Sequence, residues 1–276
     1  SSASSAPEAE TPALVEGWNH VNASWYFVRD GSPLTGWQQI HGNWYWFDAS
    51  ENGKMATGWL DVAGARYYLT ESGSVEGAMA TGWIRNQGSW YFANQSGAIL
   101  SNWQWIGGAW YWFDPSCGCK MARGLNVIDG REYLLGDYGL ANGWVLDGAL
   151  WYYGSNGEAL SGWQWINGAW YYLDPPEKGA MATGWNAISG VRYYLDSSGA
   201  MATGWIFQNG DWYFADSSGA IATGWRFVNG AWYWLEPSDD GKMFVGFKDV
   251  GSSRYYLAPS GEMKTGWILV GSDWYY

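Results

Sequence analysis

The sequence is poor in the residues from which most active sites are built. Of 276 residues, two are histidine, two cysteine and eight proline, and charged residues make up only 14%. His20 and His41 have no recurring nucleophile or base beside them, and His41-Gly42 stands where related stretches have a turn. No phosphate-binding glycine motif and no His/Cys metal spacing occurs, so the chain reads as non-enzymatic, without cofactor or metal. Cys117-Gly118-Cys119 is too small a set for a zinc site, and a disulfide closing so short a ring would be strained. It reads as a loop variant. Lysine and arginine number 14 against 26 acidic residues, for a net charge of −12. That balance excludes a nucleic-acid partner, which needs clustered basic residues, and suits a solvated surface. No apolar run approaches the 18 residues of a membrane-spanning helix, and no basic stretch followed by an apolar one marks a signal peptide. Residues 1–16, SSASSAPEAETPALVE, read as a linker or the remnant of one.

What the chain does have is aromatic: 25 Trp and 20 Tyr, with 40 Gly. The stretch Gly162–Tyr172, GWQWINGAWYY, is the repeating unit. An Asn-Gly pair between alternating apolar residues is a strong hairpin signal, because both turn positions need positive φ. Thirteen copies start at Trp18, Trp37, Trp59, Trp83, Trp103, Leu125, Trp144, Trp163, Trp185, Trp205, Trp225, Phe247 and Trp267, spaced 19 to 24 residues apart. A fixed period in this range marks a repeat array. The seventh residue after each start is Trp, Arg or Glu, and the eighth is Tyr in all thirteen copies. A two-residue turn at the fourth and fifth positions puts Trp163 opposite Tyr172 and Trp165 opposite Trp170. Side chains alternate across a strand, so Trp163, Trp170 and Tyr172 share a face and Tyr171 points from the other. A lone hairpin is marginal in water; stacked hairpins cover one another's rings. The expected architecture is all-β, with stability residing between neighbouring repeats rather than in a globular core.

All seven Met residues stand four positions before a repeat start, as in Met181-Ala-Thr-Gly-Trp185. They read as pegs between hairpins, and a soft thioether there also suits the floor of an aromatic pocket. A longer period overlies the short one. Every third repeat replaces the seventh-position Trp, by Arg66, Glu132, Arg192 and Arg254, and the repeat before each has the longest closing loop: Ala49–Lys54, Pro115–Lys120, Pro175–Ala180 and Pro237–Lys242. With three hairpins per turn, these four residues are expected to form one stripe that packs structurally or faces the rest of a longer parent protein. The thirteenth copy stops at Tyr276 inside its closing strand, so the chain reads as a piece of a longer protein.

Facing rings with a gap between them suit a quaternary ammonium group or a stacked sugar. The chain resembles the cell-wall-binding, or choline-binding, repeat family. The resemblance rests on T-G-W, the W-Y-Y closure and G-x-M, as in Thr203-Gly204-Trp205, Trp170-Tyr171-Tyr172 and Gly199-Ala200-Met201, and covers about residues 17–276. It implies a left-handed solenoid of about thirteen stacked β-hairpins, roughly three per turn. It also implies ligand sites lined by two aromatics of one repeat and one of the next. The eight expected cages are Trp18/Trp25/Tyr45, Trp37/Trp44/Tyr67, Trp83/Trp90/Tyr111, Trp103/Trp110/Tyr133, Trp144/Trp151/Tyr171, Trp163/Trp170/Tyr193, Trp205/Trp212/Tyr233 and Trp225/Trp232/Tyr255. The implied role is attachment of a secreted protein to the bacterial cell surface or cell wall through choline-bearing teichoic acid or another envelope polysaccharide. The similar glucan-binding and clostridial toxin repeats imply the alternative, a carbohydrate-binding array for α-glucan or host glycan. Oligomeric state is left open.

Overall fold

The computed structural model describes residues 13–276, so most of the segment read as a linker lies outside the described residues. Its last residues fasten to the first hairpin. The Val15 N–H donates to Asn19 Oδ1 at 2.8 Å, and Asn19 Nδ2 donates to the Val15 carbonyl at 2.7 Å. The chain divides at Arg123/Gly124 into two compact units.

Each expected repeat is an antiparallel hairpin. In the first unit Gly17–Val21 pairs with Ser24–Arg29, Gly36–Ile40 with Asn43–Asp48, and Gly58–Val62 with Ala65–Leu69. Gly82–Asn86 then pairs with Ser89–Ala93, and Asn102–Ile106 with Ala109–Asp114. The second unit opens with Gly124–Ile128 on Arg131–Gly136, Gly143–Asp147 on Leu150–Ser155, and Gly162–Ile166 on Ala169–Asp174. It continues with Gly184–Ile188 on Val191–Leu195, Gly204–Gln208 on Asp211–Ala215, and Gly224–Val228 on Ala231–Glu236. Gly246–Val250 on Ser253–Leu257 and Ile268–Val270 on Asp273–Tyr275 complete it. We number these hairpins 1 to 13. No α-helix occurs among the described residues, and none is therefore long and apolar enough to cross a membrane. The all-β hairpin architecture is as expected. Handedness and hairpins per turn stay with the resemblance.

The register is the expected one: Trp163 faces Tyr172 and Trp165 faces Trp170. Both turn residues of hairpin 8 have positive φ, 49° at Asn167 and 87° at Gly168, which matches the twist of the flanking strands. His41, at φ 51°, is a turn residue as the sequence suggested.

Within each unit the buried residues fall into small clusters that recur hairpin by hairpin. The tenth residue after many of the starts is fully enclosed: Phe47, Leu69, Phe113, Leu173, Leu195, Leu235 and Leu257 are all 0% exposed. These lie on the same face as the eighth-position Tyr, two residues earlier on one strand. After each hairpin a short connecting segment pairs back, as in Phe47 with Met55 and Leu195 with Met201, and then reaches the preceding hairpin. The Met79 N–H donates to the Trp44 carbonyl at 2.8 Å, and the Met201 N–H to the Trp170 carbonyl at 2.8 Å. One repeat therefore completes the hydrogen bonding of another, which is how individually marginal hairpins hold together.

The Met pegs fit glycines of the next closing loop. A Cβ on Gly77, Gly97, Gly199, Gly219 or Gly261 would overlap the thioether of Met55, Met79, Met181, Met201 or Met243. Each of these glycines also has positive φ, 81° to 85°, which only glycine adopts at little cost.

Candidate ligand-binding site

A cage begins with the alternation of side chains across a strand. Starts, and residues two, seven and nine positions later, share the outward face of the hairpin; the eighth-position Tyr leaves from the reverse face. That Tyr therefore meets the starting Trp of the preceding hairpin. The pair recurs with nearly constant geometry. Trp18–Tyr45 centroids lie 5.1 Å apart at 71°, Trp37–Tyr67 4.8 Å at 64°, and Trp83–Tyr111 4.9 Å at 67°. In the second unit Trp144–Tyr171 lie 5.0 Å apart at 65°, and Trp163–Tyr193 4.9 Å at 65°. Trp205–Tyr233 measure 4.7 Å at 68°, and Trp225–Tyr255 4.8 Å at 70°. Edge-to-face packing of this kind adds to simple area burial.

The seventh-position Trp forms the second wall. Trp25, Trp90, Trp212 and Trp232 stand perpendicular to their starting Trp, at 6.0 to 6.4 Å and 88° to 89°. Their outer faces meet solvent: Trp44, Trp90, Trp151, Trp170, Trp212 and Trp232 are all exposed at the rim. The structure thus sets the starting Trp against the successor Tyr in seven of the eight expected sets, and the seventh-position Trp against the starting Trp in four of those. The eighth, Trp103/Trp110 with Tyr133, joins residues of the two units and stays an expectation.

Two cages enclose measurable cavities. One of 380 Å³ is lined by Trp18, Trp25, His41, Tyr45, Met55 and the loop Gly73–Glu76. The other, 250 Å³, is lined by Trp205, Trp212, Tyr233, Met243, Pro259 and Ser260. Both add parts that sequence reasoning missed or mentioned only in passing. The floor is the Met of the connecting segment after the Tyr-bearing hairpin. The far wall is the closing loop of the hairpin after that. A cage therefore draws on three successive repeats. The recurring G-x-M spacing was the signal that could have revealed this, since the Met and its glycine fit each other. Glu76 is among the residues that line the first cavity.

A second omission concerns the residue two positions after each start. Trp105 and Trp165 are 59% and 60% exposed. They lie 5.4 Å from Trp110 and Trp170 respectively, while Phe207 and Phe227 lie 5.0 and 5.3 Å from Trp212 and Trp232. These rings widen the aromatic surface outside the cage.

At Arg66, Glu132 and Arg192 the closing loop two hairpins later meets the seventh residue. Lys178 Nζ lies 2.8 Å from Glu132 Oε2, and Arg192 Nη1 donates to the Asp240 carbonyl at 2.7 Å. Arg66 approaches the Gly118–Cys119 loop, where burial raises the Cys119 thiol pKa and the guanidinium opposes that rise. Both cysteines are free. The long loops thus gather beside these residues within each unit. The four-residue stripe spans both units and stays an expectation.

A profile described as "Choline-binding repeat" matches residues 34–75, 160–204 and 182–223, and one described as "Putative cell wall binding repeat" matches 81–99, 101–116, 223–243 and 265–276. Choline binding protein F of Streptococcus pneumoniae, solved with a peptidoglycan analogue, is 30% identical, with 90% of this chain and 92% of that chain covered and a TM-score of 0.56. The chain belongs to the choline-binding repeat family. A second crystal form of the same pneumococcal protein gives 29% identity over 92% and 95% of the two chains, with a TM-score of 0.57. CbpJ from the same species is 28% identical, covering 90% of this chain and 100% of that one, at a TM-score of 0.49. No match is found among curated proteins.

Proposed function

We propose that the chain is a non-catalytic attachment module that holds a secreted bacterial protein on the cell envelope through choline-like groups of teichoic acid. The observation that carries the reading is the cavity between Trp205, Trp212 and Tyr233, floored by Met243. Two perpendicular indoles, a phenol ring and a thioether line it with π faces and polarizable surface. That environment suits a cation with no N–H to donate, and aromatic cages are the usual receptors for quaternary ammonium groups. The net charge of −12 favours a cationic group over an anionic one. Each cage is a weak site. Seven on one chain, facing a polymer that carries many ammonium groups, multiply through effective concentration.

A second reading has one observation in its favour. The exposed rings of Trp105 and Trp165 beside Trp110 and Trp170 form platforms on which sugar rings can stack, as a glycan-binding array requires. Retention on a quaternary- or tertiary-amine resin separates the two. Elution by free choline but not by equal ionic strength supports the attachment reading. Retention on dextran alone would overturn it in favour of carbohydrate.

A further inference from the structure

Hairpin 9 has the Trp–Tyr joint of a cage but not the second indole, and the floor position after hairpin 10 is Ile221 rather than Met. Trp185 and Tyr213 lie 4.8 Å apart at 66°, against 4.7 Å and 68° for Trp205 and Tyr233 in the open cage of hairpin 10. The connecting residue Ile221 donates its N–H to the Arg192 carbonyl at 2.9 Å, as Met201 does to Trp170 at 2.8 Å. The seventh position is Arg192, and its side chain does not point away. The guanidinium carbon lies 4.0 Å from the Trp185 ring centroid and 5.6 Å from that of Tyr213. Nη1 donates to the Asp240 carbonyl at 2.7 Å and lies 3.4 Å from Asp240 Oδ2.

The other third-repeat arginines show why this one differs. Arg66 donates Nε and Nη2 to Asp61 at 2.9 and 3.1 Å, and Arg254 donates the same pair to Asp249 at 2.8 and 3.2 Å. Both aspartates are direct cross-strand partners two positions after the repeat start. Held by their own hairpins, these guanidinium carbons stay 5.6 Å from Trp59 and 5.9 Å from Phe247. In hairpin 9 the cross-strand partner is Ala187. With no carboxylate on its own hairpin, Arg192 turns onto Trp185 and is caught from above by the loop after hairpin 11. Its side chain is accordingly 28% exposed, against 39% for Arg66 and 68% for Arg254.

We propose that hairpin 9 is an ammonium cage filled by the chain's own cation: Arg192 stands over Trp185 and Tyr213 where a ligand's ammonium stands in the open cages, and Asp240 holds it there. A guanidinium stacks on indole as readily as an ammonium approaches it. The site is therefore latent, and its ligand class is a small quaternary ammonium ion. The proposal rests on the ammonium reading of the open cages. Removing the guanidinium exposes a Trp185/Tyr213 face; installing Trp at position 192, the residue that hairpins 8 and 10 carry, supplies the missing wall.

The test is titration calorimetry with tetramethylammonium chloride on the full chain, with folding of each variant checked by thermal melting. Arg192→Ala and Arg192→Trp are expected to bind one more ion per chain than the parent. Trp170→Ala, which removes a wall of an open cage, is expected to bind one fewer. Arg192→Ala only shortens a partly exposed side chain, so it keeps a measurable folded protein even if the larger Trp disrupts the loop. Unchanged stoichiometry in the Arg192 variants, with the loss intact in Trp170→Ala, overturns the filled cage and leaves the open ones standing. Unchanged stoichiometry in Trp170→Ala overturns both.

Discussion

Hairpins 9 and 10 are neighbours with almost the same inter-hairpin packing and different interiors. Their Trp–Tyr contacts agree within 0.1 Å and 2°. Yet hairpin 10 opens into a 250 Å³ cavity, while in hairpin 9 a guanidinium sits 4.0 Å from the indole centroid. The contact between a starting Trp and the next Tyr is thus a building joint, made whether or not a ligand site results. The seventh position decides what the joint encloses. On the proposed reading, structural and binding duties fall chiefly on different rings, so they can be separated by substitution.

The largest expected effect comes from breaking the joint itself. Tyr45 is 6% exposed and packs on Trp18 and Phe47. Tyr45→Ala is expected to cost about 3 kcal/mol of stability, in line with deletion of a buried aromatic, and to abolish the Trp18/Trp25 site as well. Urea unfolding followed by tryptophan fluorescence measures the first, and ligand stoichiometry the second. Next comes Gly199→Ala, which sets a Cβ against Met181 at φ 83°. Strain and overlap together are expected to cost about 2 kcal/mol. Here the thermal midpoint drops and the cage that Met181 floors weakens.

A smaller effect concerns the loop that holds Arg192. Glu236 begins that loop and accepts hydrogen bonds from Lys248, from Trp234 Nε1 at 3.1 Å and from Ser238 Oγ at 2.9 Å. Chiefly the Lys248 ammonium holds its carboxyl down to about 2 from 4.5. A depressed carboxylate stabilises the fold fully above its unfolded pKa, and the contribution disappears as pH falls from about 4.5 through about 2. The contribution is about 1 kcal/mol once solvent access to the pair is counted. Denaturant melts at pH 6 and pH 3 should show Glu236→Gln losing less on acidification than the parent; equal losses would remove Glu236 from the account. Smallest for the fold is Trp212→Ala. That ring is 43% exposed, so its loss is expected to change stability by under about 1 kcal/mol while removing one ligand site.

Much of this was legible in the sequence, for a physical reason. A period-2 side-chain alternation around Asn167-Gly168 fixes both register and face, so the pairing of Trp163 with Tyr172 and the reverse-face exit of Tyr171 follow from local chemistry alone. The successor Tyr of each cage came from the family resemblance. What stayed hidden depends on contacts between non-adjacent repeats. The closing loop that walls a cage belongs to a hairpin two repeats later, and nothing local ties Pro259 to Trp205. The enclosed tenth-position residues, such as Leu195 and Leu235, look like ordinary strand apolar residues until the hairpins are placed against one another. The sequence places Arg192 only in the expected stripe of third-repeat residues. Its inward turn depends on the single difference between Ala187 and the aspartates Asp61 and Asp249, and a repeat alignment judged by its aromatics passes over that.

The most direct measurement is a crystal structure of the chain soaked in choline. The account expects a quaternary ammonium between Trp205, Trp212 and Tyr233, over Met243, with the Trp185/Tyr213 space still held by Arg192. Choline bound elsewhere while that cavity stays empty at saturating concentration would contradict it.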